Sequence, residues 1–221
     1  RFFNPNTFTY FSAFKDITTL VQTTGNGTYT LSNLDISPFE ALHYSRKTNF
    51  AGWAILIVYE NPSLTLNQLN IYDGLQGVPD ALQINLTNLY VLNNANAKAG
   101  FIAWEGDSQL ATENFTVNST VISNPFNPPN NVFNSTNSVT GSNQLYNMDL
   151  DIYEIDSYIS IGDTSASIAL TSFQDFIMIN TVVTKLNSQL PDATIVLENP
   201  ISTCNSREVT IDFTVSNLNS T

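Results

Sequence analysis

The sequence predicts an all-β protein built as a β-sandwich or jelly-roll-like domain. Short runs of β-branched and aromatic residues recur along it, separated by clusters of Asn, Gly, Pro and Asp. Helical periodicity is nearly absent. Hydrophobic residues make up 42% of the 221-residue chain and charged residues only 12%. The chain therefore has enough apolar material for a large core, under a surface of mainly uncharged Asn, Ser and Thr.

The N-terminal quarter of the chain predicts one β-hairpin followed by a loop. Residues 16–22 and 28–34 have strand-like patterns, and the glycines at 25 and 27 flank Asn26 in a turn between them. Residues 35–49 are mixed in character and are interpreted as a loop with at most one short helical turn.

The strongest strand candidate of the chain is residues 50–60. Its centre is continuously apolar, which is typical of a strand buried on both faces. Residues 66–72 form the next strand, and Asp73-Gly74 predicts a turn after it. In residues 81–91, Leu, Ile and Leu at 82, 84 and 86 alternate with polar residues, so one face of this strand is expected to be buried.

The rest of the chain continues as strands around one long loop. Residues 97–104 and 114–122 are strand candidates, residues 123–141 are rich in Asn and Pro and predict a loop, and residues 145–161 alternate again. The remaining strand candidates are residues 166–171, 176–185, 194–197 and 208–215.

The pattern predicts a division of the chain near Asp192. Residues 1–190 are expected to form the β-sandwich module. Residues 191–221 are expected to form a linker and the first strands of a following, truncated Ig-like domain, whose last strand has no hairpin partner. We expect Cys204 to form a disulfide with a partner beyond Thr221, because unpaired cysteines are unusual in secreted proteins. The alternative is a small buried thiol.

Charge and composition exclude several function classes. Seven basic and 19 acidic residues give a net charge of −12, which disfavours binding to nucleic acid or to anionic lipid. One His and one Cys cannot form a Cys/His zinc site. No nucleophile motif accompanies His43, which is interpreted as a surface residue. We expect no catalytic, cofactor-binding or metal-binding residues, and no enzyme.

Four acids in one strand region, Asp149, Asp151, Glu154 and Asp156, leave two interpretations open. Several carboxylates together are the ligands that Ca²⁺ prefers. By period two, however, Asp149 and Asp151 share one strand face while the neighbouring apolar residues share the other, which favours an acidic face in solvent. Three further acids that lie in predicted turns are not brought together by the sequence: Asp73, Asp107 and Asp163.

The aromatic residues also allow two interpretations. A row of Trp, Tyr and Phe can bind sugar rings, but Trp53 and Trp104 lie in the most apolar strands and are expected in the core. Three aromatic residues near the start are less clearly buried and are candidates to face a partner: Phe8, Tyr10 and Phe11.

Five segments resemble, in order, the motifs of one class of bacterial surface protein. They are FAGWAILIVYENPS (50–63), NIYDG (70–74), AWEGD (103–107), NPPNNVFNST (127–136) and GDTSA (162–166). Together they resemble a module of the giant gliding-motility-associated adhesins that gliding bacteria export by type IX secretion (SprB-like proteins). The motif glycines, Gly52 and Gly106, suggest bulges or close backbone approach.

The resemblance implies a non-catalytic structural and adhesive module of a long, multi-domain protein on the outer surface of the cell. Its expected partners are a substratum or polysaccharide, other modules of the same chain, and the secretion or motility machinery of the outer membrane. The alternatives are a carbohydrate-binding module or a glycosidase-type enzyme on a β-sandwich, and a spacer without a ligand. A spacer would lack an exposed aromatic patch.

Overall fold

The fold is taken from a computed structural model, which describes residues 2–4, 8–46, 50–78, 81–189, 193–201 and 210–217. Twelve strands, two α-helices and one 3₁₀ turn follow one another along these residues. In chain order they are β1 (Phe2–Phe3), β2 (Tyr10–Phe11), α1 (Thr18–Thr24), α2 (Ser37–Arg46), β3 (Gln68–Val78), β4 (Leu82–Leu86), β5 (Val91–Trp104), β6 (Glu113–Val117), β7 (Thr120–Val121), β8 (Met148–Glu154), the 3₁₀ turn (Asp156–Tyr158), β9 (Ala166–Ser172), β10 (Ile177–Ser188), β11 (Ala193–Ile201) and β12 (Thr210–Asn217).

Two four-stranded sheets confirm the predicted all-β sandwich. The first, which we call the β5 sheet, has the strand order β3–β10–β5–β8, and the second, the β9 sheet, has the order β4–β9–β6–β7. Neighbouring strands are antiparallel in both. The pairs β1–β2 and β11–β12 form separate two-stranded sheets.

The core lies between the inner faces of the β5 and β9 sheets. Alternate residues of β9 are buried, and β4 buries Ile84 and Leu86 while exposing the residues between, as its alternation predicts. An aromatic cluster joins the sheets at the centre. The Phe101 ring lies 5.5 Å from that of Phe115 in an edge-on contact, and the Phe115 ring lies 5.0 Å from that of Tyr153.

The described parts of the N-terminal segment, residues 8–46 and 50–56, are attached to the outer face of the β5 sheet by stacked rings. The ring of Tyr10 stacks on Phe50 at 5.7 Å, and Phe50 stacks on Trp104 of β5 at 6.1 Å. Gly52 lies so close to this tryptophan that a Cβ atom there would be 2.5 Å from its ring, so the close approach suggested for Gly52 is confirmed.

The hairpin predicted over residues 16–34 is wrong, because the first half of it is the helix α1. The Asp16 side chain accepts a hydrogen bond from the N–H of Thr18, and Gly25, with φ 64°, follows the last helical residue. In the same way, Asp35 accepts the N–H of Ser37 at the start of α2, where the sequence predicted a loop with one helical turn at most.

The prediction of a buried strand over residues 50–60 is also wrong. This segment has no regular secondary structure. Most of its large apolar side chains are exposed, including Ile57, Val58 and Tyr59. An apolar run alone favours a strand, but here the segment pairs with no described strand, and only Phe50 and Gly52 at its start are seen to pack on Trp104 of the β5 sheet.

One turn prediction and one strand-pairing prediction also differ from the structure. The turn expected at Asp73-Gly74 lies inside β3, where the register with β10 shifts between Ile179 and Thr181. The last strand, β12, does have a partner, since it pairs with β11. Cys204 lies outside the described residues, and its disulfide and the domain boundary near 190 stay predictions.

Candidate functional site

A cleft lies between the N-terminal segment and the outer face of the β5 sheet. Its cavity has a volume of about 490 Å³. The walls come from β2, α2 and residues 50–56 on one side, and from β3, β5 and β10 on the other. Most of the lining is apolar or aromatic, which is typical of a pocket for an organic ligand or an apolar surface group.

Three aromatic side chains line this cleft and remain exposed to solvent. Phe14 is 74% exposed, Tyr44 77% and Trp53 48%. We call these three the aromatic patch. The prediction that Trp53 and Trp104 are core residues is therefore wrong for Trp53, while Trp104 is half-buried under Phe50.

The structure also shows where the other aromatic candidates and His43 lie. Tyr10 is buried, and Phe8 and Phe11 are half-buried. His43, predicted at the surface, is buried, with its Nε2 3.0 Å from the carbonyl oxygen of Thr9 and its ring 5.0 Å from that of Tyr10. These rings attach α2 and β2 to each other, so their role is packing.

Polar groups also line the cleft. The side-chain amide of Asn180, in the bulge of β10, donates to the hydroxyl of Ser12 at 3.1 Å and to the carbonyl of Gly74 at 3.0 Å. The carboxylates of Glu40 and Asp73 also line the cavity. A ligand in the cleft would thus meet aromatic rings together with hydrogen-bonding groups.

The acidic face predicted for β8 points into the protein, so the solvent-face interpretation is wrong. Asp149 and Asp151 are fully buried, on the same face as the core residue Tyr153. Glu154 is exposed and pairs with Lys98 at 2.6 Å. Because these acids face in different directions, the calcium site considered for the four acids of this region does not form there.

The buried β8 acids are held by the Asn-rich loop, residues 123–141. Asp149 Oδ1 accepts the backbone N–H groups of Asn134 and Thr136 at 2.9 and 3.1 Å. Asp151 Oδ1 accepts the N–H of Ser138, and its Oδ2 accepts from the amide of Asn127. Buried carboxylates are tolerated where they receive such hydrogen bonds. The loop thus fixes its own position against β8.

Further carboxyls gather around Asp149 at this end of the sandwich. Glu113, at the start of β6, is fully buried, and Asp175, just before β10, is nearly so. Burial and the neighbouring acids raise the pKa of Glu113 to about 8 and that of Glu105 to about 7. Burial likewise raises the pKa of Asp149 to about 8. We call Glu105, Asp107, Glu113, Asp149 and Asp175 the acidic cluster.

The turn acids are separated by the fold. Asp107 belongs to the acidic cluster, and Asp73 lines the cleft. Asp163 precedes β9, whereas Asp175 of the acidic cluster follows β9, so the two lie at opposite ends of this strand. Sequence reasoning missed Glu113, because it is an isolated acid at the start of a strand. The AWEGD turn, which holds Glu105 and Asp107, and the acids of β8 were the signals that pointed to this region.

No protein-family model matches the chain, and no curated protein or solved structure is significantly similar to it. Among the described helices, none is both long and apolar enough to cross a membrane.

Proposed function

We propose that the chain is a non-catalytic adhesive module of a long cell-surface protein, of the kind that mediates surface attachment or gliding motility. Its contact surface is the aromatic patch together with the exposed apolar segment that follows Trp53. The proposal combines the resemblance of the five sequence motifs with this one structural feature.

The observation that carries the proposal is the exposure of the aromatic patch. A module that serves only as a spacer is not expected to expose three aromatic rings around one cleft, because exposed apolar patches favour association with other molecules. Beside the patch, the stack of Tyr10, Phe50 and Trp104 attaches the segment that carries Trp53 to the β5 sheet, which lowers the conformational freedom that this segment would lose on contact.

A second candidate function, carbohydrate binding, is favoured by the shape and lining of the cleft. Aromatic rings pack against the apolar faces of sugars, and the carboxylates of Glu40 and Asp73 can accept hydrogen bonds from sugar hydroxyls. Adhesion to a polysaccharide would combine both functions in one surface. Inhibition of attachment by a soluble sugar would support carbohydrate binding.

The experiment measures attachment of the purified chain to polystyrene, glass and polysaccharide-coated surfaces. The test variant carries Phe14→Ser, Tyr44→Ser and Trp53→Ser. Because these side chains are exposed, we expect unchanged folding and a several-fold loss of attachment on at least one surface.

The matched control carries Tyr146→Ser and Phe173→Ser, two aromatic residues that are 82% and 80% exposed and do not line the cleft. An equal loss of attachment in the control would contradict the proposal. In the host, deletion of this segment from the full protein should impair attachment or spreading. If a deletion variant still reaches the surface and attaches normally, the module is only a spacer and the proposal is wrong.

A further inference from the structure

One exposed segment has the composition of a strand but pairs with none of the described strands. Residues 51–66 are all exposed, and residues 53–59 are the continuously apolar run WAILIVY. The backbone N–H and C=O groups of residues 53–60 form no hydrogen bond within the described part of the chain. Because β-branched and aromatic residues favour strands, the segment offers the unpaired donors and acceptors of a strand together with apolar side chains.

The exposed apolar surface continues from this segment onto β3. The chain turns at Asn61, whose carbonyl accepts the N–H of Leu64 at 3.0 Å, and then enters β3. β3 is an edge strand, since it pairs with β10 on one side and with no described strand on the other. Every Trp, Tyr, Ile, Leu and Val side chain between residues 53 and 72 is at least 38% exposed. A continuous apolar surface of this kind marks an interaction site.

The charge pattern indicates what covers this surface. The chain has a net charge of −12, so two copies of it repel each other. Residues 51–72 contain one charged residue, Glu60, so a second copy can approach here with little repulsion. Lysine, other charges or proline commonly prevent unpaired strands from pairing with another chain, and residues 53–59 contain none of these.

We propose that residues 53–59 form an antiparallel β-pair with the same residues of a second copy of the chain, about a two-fold axis at Leu56. The run is self-complementary in this register, because Trp53 of each copy lies opposite Tyr59 of the other and every opposed pair is apolar. The backbone groups that face the partner strand gain hydrogen bonds. The two Glu60 carboxylates lie at opposite ends of the pair, about 26 Å apart, which is beyond the screening length at physiological salt.

This pairing goes beyond the proposed function, because it joins two copies of the chain to each other and not to a surface. A single pair of short strands is a small interface, so we expect a weak and reversible dimer. On a cell that displays many copies side by side, which rests on the proposed function, such weak pairs would add up to lateral association through avidity.

The experiment measures the mass of the purified chain by analytical ultracentrifugation from about 10 μM to 1 mM, the range in which small interfaces associate. We expect a reversible monomer–dimer equilibrium. Amide hydrogen exchange should be slower in the dimer at alternate residues of 53–59, because only every second N–H faces the partner strand.

Three results would overturn the proposal. The first is a chain that stays monomeric over this range, and slow exchange of residues 53–59 in such a monomer would show that the segment pairs with its own β3. The second is a dimer in which these residues exchange as fast as in the monomer. The third is open-ended growth into large aggregates, because pairing about a two-fold axis closes at two copies.

Leu56→Lys tests the centre of the pair, because it places two like charges opposite each other and removes apolar contact. Dimerisation should weaken by at least about tenfold, whereas a mixture of Leu56→Lys and Leu56→Glu copies should dimerise again. Leu56 is 49% exposed, and the matched control is Leu20→Lys, at a leucine of α1 that is 53% exposed and should dimerise as the unchanged chain does.

An equal loss in Leu20→Lys, or no recovery in the mixture, would overturn the assignment to this segment. Dimerisation is measured in solution without any surface, and Leu56→Lys keeps all three rings of the aromatic patch. A failure of the pairing is therefore distinguishable from a failure of the proposed adhesive function, which is measured by attachment.

Discussion

At the scale of single residues, Gly106 shows why the AWEGD turn needs a glycine. A Cβ atom at this position would collide with the Asp149 carboxylate and lie 3.1 Å from the backbone of Phe133. The carbonyl of Gly106 also accepts the hydroxyl of Ser135 at 2.7 Å, so the turn is tied to the Asn-rich loop. The glycine is thus required for space, which confirms the close backbone approach suggested by the sequence.

We predict that Gly106→Ala lowers the free energy of unfolding by about 1–3 kcal/mol, the usual cost of forcing extra volume into a packed site. Gly74→Ala is the control, because a Cβ there meets no atom within 4 Å. Chemical denaturation followed by fluorescence measures both. Equal stability of the two variants would show that the turn can move aside.

A second prediction at this scale concerns pH. The pKa values of Glu113 and Asp149 are raised to about 8 by burial, from ordinary values of 4.5 and 3.8. The folded chain therefore binds more protons than the unfolded chain between about pH 4 and pH 8, and its stability should fall as pH rises through this range. The other acids that face this pair are Glu105, Asp107, Asp151 and Asp175.

Thermal unfolding at a series of pH values measures this slope. Glu113→Gln should flatten it, whereas Asp163→Asn should leave it unchanged. A stability that rises steadily from pH 5 to pH 8 would contradict the assignment.

At the scale of elements, the Asn-rich loop shows how a long segment without regular structure is fixed. The amide of Asn127, fully buried, donates to the hydroxyl of Thr136 at 2.9 Å and to Asp151 at 3.1 Å, and the carbonyl of Val132 lies 3.3 Å from the same nitrogen. Together with the carboxylates of β8, this network replaces the backbone pairing that a strand would supply. The sequence predicted a loop here, and the structure confirms it as an ordered one.

We predict that Asn127→Ala destabilises the protein by about 2–4 kcal/mol, because several buried groups lose a partner at once. Asn143→Ala, in an exposed part of the region that precedes β8, should change stability by less than about 0.5 kcal/mol. Amide hydrogen exchange at Thr136 and Ser138 provides an independent measurement. Slow exchange that persists in Asn127→Ala would show that the β8 carboxylates hold the loop alone.

At the scale of the whole molecule, stability depends on the contact between the β5 and β9 sheets. The fully buried Phe115 of β6 meets Phe101 and Tyr153 of the opposite sheet. We predict that Phe115→Ala costs about 3–5 kcal/mol of unfolding free energy. Phe173→Ala, at an 80% exposed ring, is the control and should be nearly neutral. A cooperative denaturation curve measures both, and a small effect of Phe115→Ala would contradict the position of the core.

The sequence by itself determined the fold class and the simplest elements. Alternation predicted β4 and its buried face, because a strand between core and solvent sorts its side chains by period two. The turn-forming residues of the Asn-rich loop predicted an irregular segment there, because turn chemistry acts over a few residues. These features depend on contacts within a few residues, or on hydrophobicity alone.

Only the tertiary structure decided which face of β8 points inward and where residues 50–60 lie. Period two separates Asp149 and Asp151 from their apolar neighbours, but backbone N–H donors from the preceding Asn-rich loop make the acidic face the buried one. The apolar run after Phe50 favours a strand, yet it has no regular structure, and Phe50 and Gly52 at its start pack on Trp104 of the β5 sheet. Both outcomes depend on partners outside the segment itself, which is why the acidic cluster and the cleft became visible only in the folded chain.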